Sequence, residues 1–244
     1  MDLYLYEDIL KAQSQDELLE KTQRVVEKLE YETFMYGFRY LDTSGRESRL
    51  VDCIFGTYPE SWCKRYIDME YESIDPAVAH CMTGNTPVIW THRYFSAPRV
   101  ADMHHECVDS GVAGGATFPA HGNWPTGGAG LLSLARDEDT DKSVPHALET
   151  LGAGMLLTGY VHEAVRRIRF SDSAAGTVAV KLTPRERECL LHSARGRTMT
   201  DIAKILIITH NTVVFHLTNA CRKLGAANRT EAVAIAVSRG MLQP

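Results

Sequence analysis

Thr183-Pro184-Arg185-Glu186, Thr198-Met199-Thr200-Asp201, Thr209-His210-Asn211-Thr212 and Asn228-Arg229-Thr230-Glu231 punctuate the last quarter of the chain, and their spacing decides its fold. Each opens with a side-chain oxygen able to take an orphan N–H at a helix start. The first adds Pro at the first helical position and a Glu that reaches back to the cap. Gly196, Gly225 and Gly240 stand where three of the helices would end, in the left-handed conformation that glycine adopts cheaply. Four short helices are therefore predicted between 182 and 240. The second and third, 199–207 and 210–223, are separated by only a residue or two, as a helix-turn-helix requires.

Charge separates this stretch from the rest. Residues 181–244 carry ten Lys or Arg against four Asp or Glu, a net of +6, while residues 1–180 carry the remaining 16 against 27, a net of −11. A small basic unit behind a large acidic one is the pattern of a phosphate-binding domain joined to a sensing body. A helical bundle that is merely basic is the plainer reading, and the short turn between the second and third helices argues against it.

The remaining chain reads as α+β. Ser14-Gln15-Asp16-Glu17 is another capping box, followed by apolar residues at 18, 19, 25, 26 and 29 on one helical face. Strands are predicted over Thr33–Tyr40 and Leu50–Phe55 with a turn at Asp42–Arg46, over Thr86–Trp90, and over Ala116–His121 and Gly130–Ala135 around the loop Gly122–Gly128. Helices are predicted over 59–70, 74–83, Pro98–Ser110 and 144–168, with Ser171–Thr177 as a small-residue linker. The expected architecture is an N-terminal α/β/α sandwich with a central antiparallel sheet, and a small all-α four-helix helix-turn-helix domain. The corresponding domains are 1–170, a linker 171–180, and 181–244.

No apolar run approaches membrane-spanning length and the N-terminus is acidic, so a cytoplasmic protein with no membrane association is expected. The six cysteines show no Cys-x-x-Cys or zinc spacing and are expected to be free thiols, with no metal and no cofactor. His104-His105-Glu106 is read as an exposed polar helix face, since adjacent helical residues point apart. No Gly-x-Ser-x-Gly elbow is present, Ser133 has no base beside it, and no enzyme activity is expected.

A second constellation lies upstream: Tyr58, Trp62, Tyr66, Asp75-Pro76 and Trp90. It combines flat apolar surfaces with a few polar tips, the composition of a small-molecule pocket. Trp62 and Tyr66 share a helical face. Asp75 before Pro76 also reads as an ordinary N-cap, and local sequence alone favours that reading.

Both halves of the chain resemble the LuxR family. In the C-terminal quarter the resemblance is carried by Leu182-Thr183-Pro184-Arg185-Glu186, Gly196, Asp201-Ile202-Ala203, Thr212-Val213, Phe215-His216, Asn219, Lys223-Leu224-Gly225, Asn228-Arg229 and Ala232-Val233-Ala234. In the N-terminal part it rests on Trp62, Tyr66, Asp75, Pro76, Trp90, Gly111 and the segment around Ser133. The resemblance implies a quorum-sensing transcription factor that binds an N-acyl-homoserine lactone, forms a homodimer and binds double-stranded DNA at an inverted-repeat promoter element. It implies that Trp62 donates to the lactone carbonyl, Asp75 accepts the ligand amide N–H, and Tyr58 and Ser133 donate to the amide carbonyl. Tyr66 and Trp90 would wall the ring, and residues near Met35–Phe38, Tyr36 and Phe38 among them, would line the acyl tail. Lys204, Asn211, Thr212, Val214, His216, Thr218, Arg222 and Lys223 are the candidate DNA contacts. Val214 is apolar and suits a thymine methyl better than a hydrogen-bonded base edge. Ala77 brings no hydroxyl to a 3-oxo group. The alternatives are a family member that answers to a different small molecule or acts without ligand, a phosphorylated response regulator, whose βα repeat the N-terminus lacks, and a lactone-degrading enzyme.

Overall fold

The computed structural model describes residues 3–42, 49–121, 128–176, 181–238 and 241–242. The chain divides into two compact units, the first running to Ser171 and the second starting at Asp172.

The first unit begins with α1 (Leu3–Ile9), which buries Tyr6 and Ile9 and which the sequence reading does not anticipate, and α2 (Gln15–Lys28). Ser14 caps α2 by accepting from Glu17 N–H at 3.2 Å, and Glu17 reaches back to the Gln13 N–H at 2.8 Å, one residue earlier than a standard capping box. Strands β1 (Thr33–Asp42), β2 (Arg49–Gly56), β3 (Val88–Ile89), β4 (Gly114–His121) and β5 (Ala129–Arg136) form one sheet in the order β2-β1-β5-β4-β3, and every pair is antiparallel. The helices α3 (Glu60–Asp68), α4 (Pro76–Thr83) and α5 (Pro98–Asp109), with a 3-10 turn at Tyr71–Ser73, come between the strands in sequence.

The period-two alternation of β1 assigns the two faces of the sheet. Phe34, Tyr36, Phe38 and Tyr40 are buried, and the Tyr36 and Phe38 rings pack against His162 of α6 (Val144–Gly176). Tyr31 donates to or accepts from Thr150 of the same helix at 2.8 Å. The helix lies close to the sheet at Gly154, where a Cβ would stand 2.2 Å from the Phe118 ring. On the opposite face Trp62, Tyr71, Val88, Trp90, Phe95, Met103, Val112 and Ala135 form a second core.

Three differences from the sequence reading have physical causes. Helix α6 continues to Gly176 through most of the expected linker, because Ser171–Ala175 contains no helix breaker. The 59–70 segment ends at Asp68, and Glu70 in the left-handed region turns the chain into the 3-10 turn. His104 is buried rather than exposed: it stacks on Phe95 at 4.4 Å and hydrogen-bonds Thr140 at 3.0 Å, while Glu106 pairs with Arg65 at 2.7 Å. Most of the Asp42–Arg46 turn and the Gly122–Gly128 loop, residues 177–180 and Gly240 lie outside the described residues.

The second unit contains α7 (Pro184–Ala194), α8 (Met199–Leu206), α9 (His210–Leu224) and α10 (Arg229–Ser238), packed around Leu190, Ile202, Val213, Leu217, Leu224, Ala232 and Ala236. Thr183 and Thr198 each close a reciprocal capping box, with Glu186 and Asp201. Gly225 ends α9 in the left-handed conformation with φ 71°. Ile207 ends α8 in the same conformation with φ 55°, which a β-branched residue adopts only at a cost.

Candidate functional site

Between the sheet and α3–α5 lies a cavity of about 230 Å³, walled mainly by apolar side chains. Helix α3 contributes Trp62, Cys63, Tyr66 and Ile67, and α4 contributes Ala77, Val78 and Met82. Met35, Gly37, Leu131, Thr117 and Ser133 form the sheet side. Tyr58, Asp75 and Trp90 complete it from the connecting segments.

The polar groups of this cavity follow from local structure. Asp75 is the N-cap of α4, with Oδ1 accepting the Ala77 N–H at 2.8 Å, so the ordinary capping reading of the sequence is correct. The other oxygen, Oδ2, accepts the Tyr66 hydroxyl at 2.9 Å and belongs to the cavity wall. One carboxylate therefore caps α4 and borders the cavity. Burial pushes the Asp75 carboxyl above its usual range, opposed by the Ala77 N–H and the Tyr66 hydroxyl. Burial likewise raises the Tyr66 phenol, with Asp75 beside it adding to the effect.

Trp90 donates its indole N–H to Thr117 at 2.9 Å, and Thr117 is hydrogen-bonded to Ser133 at 3.0 Å across the β4–β5 ladder, where the two residues are directly paired. Trp90 is thus satisfied inside the protein and presents a ring rather than a donor. Tyr58 differs. Its hydroxyl is buried and makes no hydrogen bond of good geometry among the described residues. Burial, then Cys107, push the phenol well above its usual value, and the neighbouring Ser133 hydroxyl opposes them as a weak hydrogen-bond partner. The Trp62 ring is buried against Tyr66 and Tyr71, at 5.7 and 6.0 Å between centroids.

Tyr58, Trp62, Tyr66, Asp75, Trp90, Ser133 and Phe38 all border this one cavity. Tyr36 does not. It lies on the other face of β1, where its hydroxyl meets His162 Nδ1 at 2.8 Å, as strand alternation dictates once Met35 and Gly37 face the cavity. The Phe38 ring shares the Tyr36 face, packing 4.6 Å from His162. Thr117, Met103 and Cys107 are lining residues that the sequence reading did not single out. Thr117 was accessible to it, since pairing the two predicted strands puts a polar residue opposite Ser133.

In the second unit, Asn211, Val214, Phe215, Thr218 and Arg222 form one exposed stripe on α9. Phe215, 62% exposed, was not among the predicted contacts. Lys204 is exposed on α8, whereas Thr212 and His216 are half-buried. Thr212 Oγ1 meets the capping Thr209 at 2.7 Å. Lys223 is occupied internally, bonded to the buried Glu186 at 2.7 Å. Burial tends to raise the Glu186 carboxyl, but Lys223 and the Thr183 N–H prevail and hold it below its usual range.

No helix among the described residues is long and apolar enough to cross a membrane, and no cluster of three or more potential metal ligands occurs among them. The autoinducer binding domain model matches residues 14–165, and that of the bacterial regulatory proteins of the luxR family matches residues 180–236. The chain is 32% identical to the transcriptional activator protein AnoR of Acinetobacter nosocomialis, over 97% of this chain and 98% of that one. It is 30% identical to the quorum-sensing regulator RhlR of Pseudomonas aeruginosa, over 90% of this chain and 87% of the other. A crystal structure of Escherichia coli SdiA shares the fold with a TM-score of 0.68 at 23% identity, covering 99% of this chain and 96% of that one.

Proposed function

The chain belongs to the LuxR family of bacterial regulatory proteins with an autoinducer-binding domain, and on that premise we propose that its cavity binds an N-acyl-homoserine lactone. The observation that carries this reading is an apolar cavity bordered by the Asp75 carboxylate and by the buried Tyr58 hydroxyl, which makes no hydrogen bond of good geometry among the described residues. An acyl lactone is neutral, offers one amide donor and two or more carbonyl acceptors, and ends in an alkyl tail. Asp75 would accept the amide N–H in a charge-assisted bond. Tyr58 and Ser133 would donate to the amide carbonyl, and Trp62 to the lactone carbonyl. Tyr66 holds Asp75 in place and Trp90 walls the ring.

The protein is a quorum-sensing transcriptional regulator, with a ligand domain over 1–170, a connecting segment over 171–180 and a DNA-binding domain over 181–244. Dimerisation would pair two helix-turn-helix units on half-sites about 34 Å apart along an inverted repeat. Lys204, Asn211, Val214, Thr218 and Arg222 would make the groove and phosphate contacts, with Thr212 and His216 at the edge of that surface. Lys223 acts chiefly by holding Glu186. A regulator of this kind works in the cytoplasm without enzymatic chemistry.

The test is expression of the full chain with and without a panel of acyl-homoserine lactones, followed by extraction and mass spectrometry. One lactone per chain, recovered intact, is the expected result. Equal soluble yield throughout with nothing bound would refute the ligand assignment.

A further inference from the structure

One end of the cavity is built differently from the rest. Arg39, Asp52, Ile54, Ile67 and Glu72 line it there, and the two isoleucines are 61% and 73% exposed. Arg39 and Asp52 are directly paired across β1 and β2. Arg39 Nε donates to Asp52 Oδ1 at 2.6 Å and Nη2 to Oδ2 at 2.9 Å, a bidentate pair. Its Nη1 lies 2.8 Å from Glu72 Oε1 on the 3-10 turn. Among the described residues this is the one polar link between the α3–turn segment and the β1–β2 edge. Gly37, directly opposite Ile54, leaves the floor bare: a Cβ there would meet nothing within 4 Å.

We propose that the Arg39–Asp52–Glu72 cluster is a clasp that closes this end of the cavity and sets the longest acyl tail the protein accepts. The proposal rests on the acyl-lactone reading above. With the polar head held at Tyr58, Trp62 and Asp75, the tail runs over Gly37 toward β2, and Ile54 and Ile67 gain a partner for apolar surface that is otherwise in water. The Arg39 guanidinium is shared by two carboxylates, so the cluster carries a net negative charge and offers no free cation. It therefore selects an uncharged alkyl end and rejects a tail ending in a carboxylate. A tail too long for the channel must part Arg39 from Glu72.

The test uses the full chain, expressed in cells fed an equimolar mixture of straight-chain acyl-homoserine lactones from butanoyl to tetradecanoyl. The captured fraction of each is read by mass spectrometry. Wild type should capture lactones with a preference rising about four-fold per methylene up to one length, then falling. Glu72→Gln and Arg39→Gln should raise capture of the next longer lactones, relative to that optimum, by about tenfold, the return on nearly two further buried methylenes. Gly37→Val, which keeps the clasp and suits a strand, should move the optimum to shorter chains. Profiles of the clasp variants that superimpose on wild type would overturn the clasp. If neither clasp variant is recovered folded, an unchanged profile for Gly37→Val overturns it and a shortened one supports it. Wild type capturing no lactone at all would be a different failure, that of the ligand reading itself, and the clasp would fall with it.

Discussion

Asp75→Asn separates the two jobs of one side chain. Asn is as good an N-cap as Asp, and its Oδ1 can still accept the Ala77 N–H now bonded at 2.8 Å, so α4 should persist. The other position changes from a carboxylate oxygen to an amide NH₂. It then faces two donors, the Tyr66 hydroxyl now at 2.9 Å and the proposed ligand N–H. A hydrogen bond to a charged group contributes about 1.5–3 kcal/mol, and a buried donor left unpaired costs about 1–3 kcal/mol. The two overlap, so the expected loss is about 2–3 kcal/mol, or about 30- to 150-fold in affinity. Titration of the captured lactone by isothermal calorimetry, beside thermal unfolding without ligand, reads both halves. Wild-type affinity should also decline as pH falls through the raised Asp75 pKa, because the ligand amide favours the ionised carboxylate; the variant should lack that decline. The stability of the unliganded unit responds in the opposite sense: a raised carboxyl favours the fold below the unfolded pKa, and that advantage is lost as pH rises through the folded value. Binding within three-fold of wild type, with unfolding unchanged, would refute a direct Asp75–amide bond.

Three further outcomes are expected. Lys223→Met leaves the buried Glu186 with only its Thr183 contacts, and should destabilise the C-terminal unit by about 2–3 kcal/mol in urea unfolding; this is below the usual figure for a broken buried pair because Lys223 is partly exposed. A loss no greater than that of an exposed lysine would show that the pair is merely a surface contact. Ile207→Asn should raise the melting temperature of the same unit by relieving about 1 kcal/mol of left-handed strain, whereas Ile207→Val should not. Equal melting temperatures for the two variants would contradict the strain. Burial lowers both His104 and His162 from 6.5 to about 4, so the N-terminal unit should be fully stable above the unfolded value and lose stability as pH falls from 6.5 toward 4. Denaturant midpoints that stay level across that window would contradict the burial of both rings.

How much of this was legible in sequence depends on whether the signal is local. The second unit was read nearly whole, because caps, short helices and their closing glycines are contacts between residues three or four apart. Strand positions were legible from aromatic and β-prone residues bounded by turn residues, but the face of β1 was not. Period two says that Met35 and Tyr36 point apart, not which of them meets the cavity, and only packing against α6 places Tyr36 with His162. The double role of Asp75 was half-legible: the cap is local, while the bond from Tyr66 depends on how the chain turns through Glu70 and the 3-10 segment. The Arg39–Glu72 pair had no sequence signal, since 33 residues separate its partners. His104 was misread because its burial is imposed by Phe95 and Thr140, neither on its own helix.

The contrast between the two units bears on how a ligand controls transcription. The C-terminal unit closes its own apolar core with buried side chains from all four of its helices. The N-terminal unit instead keeps a cavity between the sheet and α3–α5, bordered by the buried Tyr58 hydroxyl. A guest that filled that space would extend the core. It would stabilise the folded state by mass action, about 2.7 kcal/mol at a hundred times its Kd. On the proposed acyl-lactone reading, ligand would therefore act on how much of the N-terminal unit is folded, and unchanged thermal unfolding across a saturating lactone series would count against it.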